Sequence, residues 1–555
     1  MKSIQISVWP ETNTFKEIER GTKLSELIPD ELKNQKFPSI VARYNNHVVD
    51  LHSQADVPGI VRFQDIRSQE GMEAYRRSAN FLLCRSFLDV YRNGRIEIGH
   101  SLGNNYFYDV TVEIPVDDEV IDILMNRMQQ IISDNESFFR ITMNREEAIK
   151  LFSSRGLNDK VRLLATMPKE SVRLYTCGNF CDLDLGPLVP STGYLKVLAL
   201  RRYEEGMVLS FPDRVNPDRL SPLKHYRKLF TIYHESKEWR KILKVNDIGR
   251  LNEFALDGRI NKCIKATEVL HENKISRIAD RITEKKDRIR IVLIAGPSAS
   301  GKTTFSNRLA VHLHVNGIKS VPISLDNYFF NRDKTPRDEN GDYDFESIYA
   351  LDLELFNKHL LDLVRGEEVQ IPKFDFETGS RSGQTVPLRI AENQIIIIEG
   401  IHGLNDLLTR SVPAENKFKI YVSALTQVSI DDFNRIHTND VRLIRRIVRD
   451  QQYRGYSAVD TLKRWPSVRR GEERNIFPFQ ENADVMFNSA LIYGLGVLKK
   501  LVTPLLKEVS ADTEEFTEAK RLLDFLEKLV EVDATNEIPP TSILREFIGG
   551  SSFDY

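Results

Sequence analysis

The chain has 555 residues, of which 41% are hydrophobic and 28% charged, with a net charge of −2. At roughly 100–200 residues per domain, this length predicts three or four globular domains. The near-neutral balance excludes a whole-molecule field that would draw in nucleic acid or a membrane. Four cysteines, Cys84, Cys177, Cys181 and Cys263, are too few for a disulfide framework and fit a reducing compartment. Cys177 and Cys181 have no second pair and no nearby His, so they read as structural thiols, with half a metal site as the alternative.

In chain order, Lys2 precedes an alternating stretch that reads as a strand rather than a secretion signal. Apolar runs such as 395–398 fall far short of the roughly 20 residues needed to cross a membrane. The expectation is a soluble cytoplasmic protein without a membrane partner. Residues 1–65 read as a small β-rich unit, with strands near 3–9, 40–44 and 60–63 and a short helix at 24–28. Residues 66–205 read as a mixed α/β unit with helices at 72–91 and 117–134 and a strand at 105–112. Residues 206–285 lose the strand signal and are expected to be a helical connector, with helices at 225–242 and 247–270. From 286 to 505, apolar strands alternate with helices, which predicts a parallel sheet. A C-terminal helix and tail occupy 506–555.

The chemistry is concentrated in 286–505. Apart from Arg290, the run 289–295 is apolar and mostly β-branched, as a buried central strand would be. Gly296-Pro297-Ser298-Ala299-Ser300-Gly301-Lys302-Thr303 follows at once, and helical periodicity begins at Thr304. This is the strand–loop–helix context required of G-x-x-x-x-G-K-[ST]. Its backbone N–H groups wrap phosphate oxygens, and the helix N-terminus adds positive charge. Lys302 reaches the β/γ-phosphates and the Thr303 hydroxyl can ligate Mg²⁺. The predicted nucleotide contacts are Gly296, Ser298, Ala299, Ser300, Gly301, Lys302, Thr303, Thr304 and Arg454.

A second apolar strand, 321–325, ends in Asp326, and a third, 394–398, ends in Glu399. Strand C-termini of a parallel sheet face the ligand crevice. Asp326 can therefore engage an attacking hydroxyl or stand beside Mg²⁺, and Glu399 can hold Mg²⁺ directly or through water. The stretch 441–454 is a strongly basic helix with Arg442, Arg446 and Arg449 on one face and Arg454 just beyond. Downstream of a phosphate site, such a cluster reads as a lid that neutralises a transferring phosphoryl group.

These residues resemble the uridine kinase and phosphoribulokinase family over about 288–500. The matching motifs are Gly296 to Thr303, Leu325-Asp326-Asn327-Tyr328-Phe329, Tyr343-Asp344-Phe345, Ile371-Pro372-Lys373-Phe374-Asp375-Phe376, Glu399-Gly400-Ile401-His402 and Arg445-Arg446-Ile447-Val448-Arg449-Asp450. The resemblance implies an α/β fold, a P-loop kinase with a parallel sheet, and ATP and Mg²⁺ as cofactors. It makes Asp326 the catalytic acid, with Lys302, Arg446 and Arg449 as its catalytic partners. Asp326, Asp344, Phe374 and Arg449 would bind the acceptor, with Asp344 on the ribose hydroxyls. Thr303, Asp326 and Glu399 would surround the metal. Where uridine kinases carry a Tyr and a His to read the base, this chain has Phe374 and Gly379. Stacking is retained and base-reading hydrogen bonds are not.

The preceding units resemble other proteins. Residues 1–65 are similar to a TGS domain, a β-grasp module. Residues 66–205 are similar to the second, editing-type α+β domain of threonyl-tRNA synthetase, through Glu70-Gly71, Arg76-Arg77-Ser78, Leu82-Leu83, Ile98-Gly99, Asn105-Tyr106-Phe107-Tyr108-Asp109 and Gly186-Pro187. The four editing-site positions of that family hold Arg77, Phe81, Asp184 and Leu188, so the resemblance implies a degenerate site. The leading expectation is phosphorylation of the 5′-hydroxyl of a nucleoside such as uridine or cytidine. A kinase for another sugar or alcohol, or an RNA-binding regulator switched by nucleotide, is the alternative. Nucleic acid could engage through the TGS-like unit, and an oligomer is compatible with the sequence.

Overall fold

The computed structural model describes residues 3–9, 15–338, 341, 343–375, 378–391 and 394–554. Phe376, named in the kinase motif, lies outside them. The first unit is a five-stranded sheet in the order Phe15–Glu19, Ser3–Val8, Gly59–Gln64, Val41–Tyr44, His47–Asp50. Ser3–Val8 runs parallel to Gly59–Gln64 and the other pairs are antiparallel. The strands bury Ile4, Ile6, Ala42 and Val61 on one face, the alternation that folds a half-polar strand onto a core.

The second unit is built on the helix Gln69–Val90, whose N-cap Ser68 accepts the Gly71 N–H at 3.0 Å. Its apolar stripe, Ala74, Ala79, Leu82, Leu83 and Phe87, is buried. An antiparallel sheet accompanies it, in the order Ala199–Tyr203, Gly206–Ser210, Asn105–Thr111, Arg95–Leu102. Gly206–Ser210 corrects the expectation that strand structure ends at 205. Every residue of this strand is buried, so it lacks the polar alternation that marks a strand in sequence. The expected helix at 247–270 is two helices, Ile248–Leu256 and Ile260–Thr283. Gly258, at φ +79°, separates them.

The third unit is a parallel sheet in the order Lys319–Ser324, Gln394–Glu399, Ile291–Ala295, Lys417–Ser423, Val485–Asn488. Ile291–Ala295 is central and wholly buried, as its unbroken apolar run requires. The helix Lys302–Val315 follows it, and the helix Thr438–Arg454 lies beside the loop between them. The second and third units dock through the short hairpin Ser429–Asp431 and Asn434–Arg435. Lys160 is fully buried there, 2.5 Å from Asp182 and 2.8 Å from Asp431. Asn80 donates to the Phe433 carbonyl (2.9 Å) and Asn434 to Asp182 (3.0 Å). Three residues beyond this hairpin the helix Thr438–Arg454 begins.

Candidate active site

The phosphate loop is shaped by close backbone approach. A Cβ at Gly296 would collide with the Val422 carbonyl of the neighbouring strand. Ala299 takes φ +57° and Gly301 φ +82°, which turns successive amides toward one side. The Lys302 ammonium lies back over the loop, donating to the Pro297 carbonyl at 3.3 Å. Thr303 donates to Glu399 at 3.4 Å, as does Ser324. Thr304 is fully buried and donates its hydroxyl to Glu546 at 2.7 Å.

Asp326 opens the turn Leu325–Tyr328 after its strand, where Ser324 accepts its N–H at 3.3 Å. Burial holds its carboxyl above the usual carboxylate range, opposed by the positive charges of Lys302, Arg454 and Arg449. Glu399 is pushed up to about 7, mainly by burial, with Lys302 opposing and Asp326 adding repulsion. Two acids, the loop lysine and two arginines therefore share one crevice at the carboxyl ends of the strands.

The arginines of Thr438–Arg454 divide by depth, and here the structure departs from a uniform lid. Arg442, 1% exposed, does not face the crevice. It pairs with fully buried Glu472 and donates to the Ser298 carbonyl at 2.9 Å, while Glu472 accepts the Ser298 N–H at 3.0 Å. Arg445 is likewise buried and donates to the Ser489 carbonyl at 2.9 Å, and the Ser489 hydroxyl donates to the carbonyl of fully buried Ser300. These groups clamp the loop. Arg446 donates to the Ser298 hydroxyl at 3.0 Å. Arg446, Arg449 and Arg454 gather around buried Asp450 at 3.1, 2.9 and 3.6 Å. The Arg449 charge, followed by burial, brings Arg454 down to about 10.

Phe374 packs against Phe329 with ring centroids 5.8 Å apart, and its N–H donates to the Asn327 side chain at 3.2 Å. Arg381 braces this hairpin by donating to the Phe329 and Tyr328 carbonyls, each at 3.1 Å. Gly379 adopts φ +67°, and the Arg332 guanidinium fills the space where its Cβ would stand. Burial raises the Asp344 carboxyl above the usual range. Glu346, which the sequence reading missed, stands beside it against Gly471. Burial pushes Glu346 up to about 7, with Arg446 opposing and Glu472 adding repulsion. Only the motif neighbour Asp344 hints at it, because its charged surroundings come from helices far along the chain.

This has a pH consequence. Between its ordinary 4.5 and about 7, folded Glu346 keeps a proton that the unfolded chain has released. Stability of the ligand-free protein therefore falls as pH rises through that window. Glu346→Gln should shrink the drop in Tm between pH 5 and pH 8 in calorimetry. An unchanged drop would remove Glu346 as a contributor.

The four positions likened above to an editing site hold neither His nor Cys. Phe81 and Leu188 are buried apolar walls, and Arg77 donates to the Pro187 carbonyl at 3.2 Å. Asp184, a carboxylate with 3% side-chain exposure, lies between Arg140 (3.2 Å) and Arg173 (3.4 Å). Asn434 of the kinase hairpin closes the pocket formed with Arg77, Phe81 and Asp182. Its acids are engaged, Asp184 by Arg140 and Arg173 and Asp182 by Lys160 and Asn434, so the full chain should not deacylate seryl-tRNA for threonine above background beside an active editing domain. Deacylation above background would overturn this.

Among the described residues no group of three or more His, Cys, Asp or Glu forms a metal cage. The oxygen-only set Thr303, Asp326 and Glu399 fits Mg²⁺, which is held through one or two carboxylates together with substrate phosphates. None of the described helices is long and apolar enough to cross a membrane.

A parallel sheet with a phosphate loop, strand-end acids and an arginine-bearing helix defines a P-loop kinase fold. Residues 291–491 match the sequence profile of the Phosphoribulokinase / Uridine kinase family. The N-terminal region is similar to threonine–tRNA ligases. That of Ehrlichia canis (strain Jake) is 30% identical over 198 residues, covering 36% of this chain and 31% of the ligase. That of Nitratidesulfovibrio vulgaris (strain DP4) is 30% identical over 188 residues, 33% of this chain and 29% of the ligase. The chain thus spans about a third of these relatives' length. Among solved structures, a possible uridine kinase from Bacillus stearothermophilus is 20% identical, covering 36% of this chain and 89% of its own, at TM-score 0.25. Phosphoribulokinase from Rhodobacter spheroides is 21% identical, covering 36% and 70%, also at TM-score 0.25.

Proposed function

We propose that this chain is an ATP-dependent kinase that phosphorylates a small-molecule hydroxyl, and that the acceptor is the 5′-hydroxyl of a nucleoside such as uridine or cytidine. The observation that carries this reading is the convergence of Lys302, Asp326, Glu399, Arg449 and Arg454 on one crevice beside the phosphate loop. The loop amides and Lys302 hold the ATP phosphates. Asp326 orients the acceptor hydroxyl and receives its proton as the hydroxyl oxygen bonds to the γ-phosphorus and the bond to ADP breaks. Arg446, Arg449 and Arg454 balance the charge on the transferring group. Thr303, Asp326 and Glu399 would hold Mg²⁺, which supplies charge neutralisation at the phosphates when bound.

Asp344 binds the ribose hydroxyls, and Phe374 with Phe329 forms the apolar platform for the base. Loss of the polar groups that read a pyrimidine lowers discrimination between bases. The N-terminal units serve as scaffold or regulator, docked onto the hairpin that leads into the arginine helix.

The test is steady-state turnover with MgATP against a panel of nucleosides and sugars, with products identified by mass spectrometry. Nucleosides should give the highest kcat/KM and a 5′-monophosphate product. Preference for a sugar would remove the nucleoside assignment. Slow turnover with every acceptor, together with measurable tRNA affinity, would favour a nucleotide-switched RNA-binding regulator.

A further inference from the structure

The nucleotide loop is open at one end and shut at the other. Lys302 and Thr303, at the end that takes the β/γ-phosphates and the metal, are half-buried, whereas Ser300 and Thr304 are fully buried. What shuts it is the C-terminal segment. Ile543 lies over Gly301, close enough that a Cβ there would meet its Cγ2 at 2.5 Å. Glu546, 9% exposed, accepts from the Thr304 hydroxyl at 2.7 Å and from the Thr304 N–H at 3.4 Å, both through one carboxylate oxygen.

The Thr304 N–H lies in the first turn of Lys302–Val315, where amides have no intrahelical acceptor. In a P-loop these first amides cradle the nucleotide phosphates. A carboxylate at a helix N-terminus satisfies the same donors and the same dipole as a phosphate. Glu546 therefore stands in for a phosphate of the nucleotide. Its charge also adds to the repulsion on Glu399, so the segment brings negative charge into a site that must accept a polyanion.

The segment is seated rather than draped. Ile543, Leu544 and Phe547 are fully buried. The Arg445 guanidinium lies 5.0 Å from the Phe547 ring centre, and Ser542 donates to Glu268 at 2.6 Å. Its helical turn Arg545–Ile548 is bounded by Pro539-Pro540 before it and by Gly549 and Gly550, both at positive φ, after it. These are natural limits for a short piece of chain that moves as a unit.

We propose that residues 541–550 are an autoinhibitory plug of the nucleotide site, with Glu546 as a phosphate mimic that ATP or ADP must displace. This rests on reading 296–304 as a nucleotide site. A plug that excludes nucleotide lowers apparent affinity by the fraction of time it is closed.

Two measurements on the full chain test it, with the fold of each variant checked by its melting transition. Calorimetric titration with Mg²⁺ and ADP should show Glu546→Ala binding about tenfold more tightly than the unaltered protein. Hydrogen exchange of the unaltered protein should speed up across 541–550 when ADP is added. Equal or weaker ADP binding by Glu546→Ala overturns the plug, as does unchanged or slowed exchange. Normal turnover with an ADP affinity indifferent to Glu546 removes the plug and leaves the kinase. Tighter ADP binding by the variant with no acceptor phosphorylated removes the kinase and keeps the plug. Absence of ADP binding by both proteins overturns both readings.

Discussion

Lys302→Ala should cut phosphoryl transfer by about 10²–10³-fold while the protein stays folded. In the proposed mechanism Lys302 brings positive charge to the transferring phosphate, and that charge acts on both Asp326 and Glu399. Removing one such group from a preorganised site costs about 10²–10³-fold in kcat, equivalent to roughly 3–4 kcal/mol in the transition state. Its hydrogen bond to the Pro297 carbonyl, at 3.3 Å, adds little to the fold. The loop is instead held by Arg442, Glu472 and the Ser489–Ser300 contact, which the substitution leaves in place. The variant should therefore melt close to the unaltered protein. Its kcat is measured by coupled ADP release, and a correctly folded variant with near-normal kcat would show that 296–303 is not the phosphate site.

Asp326→Asn should lower kcat by about 10²–10⁴-fold, the usual contribution of a positioned acid or base, while the KM for ATP changes little. In the proposed mechanism the carboxylate, just beyond the strand Lys319–Ser324, faces the acceptor, whereas nucleotide affinity resides in the loop amides. Asparagine keeps the shape and can still accept one hydrogen bond, but it cannot take the hydroxyl proton. Burial already disfavours charge at Asp326 in the free protein, so the amide should not destabilise the fold. A large rise in the ATP KM with unchanged kcat would move Asp326 from acceptor chemistry to nucleotide binding.

The two expectations differ in how far sequence alone could carry them. Ile291–Ala295, the phosphate loop and Lys302–Val315 are contiguous, and each reports its own role locally. A buried parallel strand must be continuously apolar, a loop that wraps phosphate needs residues that tolerate positive φ, and a helix start needs no distant partner. Asp326 and Glu399 were legible for a related reason, since each closes an apolar strand and a parallel sheet aligns such ends. The basic face of Thr438–Arg454 was legible as a periodicity.

Periodicity could not divide that face by depth. Arg442 and Arg446 are one turn apart, yet Arg442 is buried because Glu472, from another helix, neutralises it. Glu346 looks like any loop acid until Arg446 and Glu472 are brought near it. Gly206–Ser210 carries no alternation because both of its faces are buried by packing in the folded protein.

Sequence by itself determined the parallel sheet, the phosphate loop, its lysine and the two strand-end acids, because each depends on interactions within a few residues of chain. Tertiary structure decided which arginines clamp the loop, how Asn434 comes to line a pocket with Arg77, Phe81 and Asp182, and that Glu546 rests on Thr304. Those features pair charges and donors across 144 residues between Arg442 and Ser298, 252 between Asn434 and Asp182, and 242 between Thr304 and Glu546. At such separations the energy of a buried contact depends on the fold that desolvates both partners, and a single residue's identity carries no trace of it.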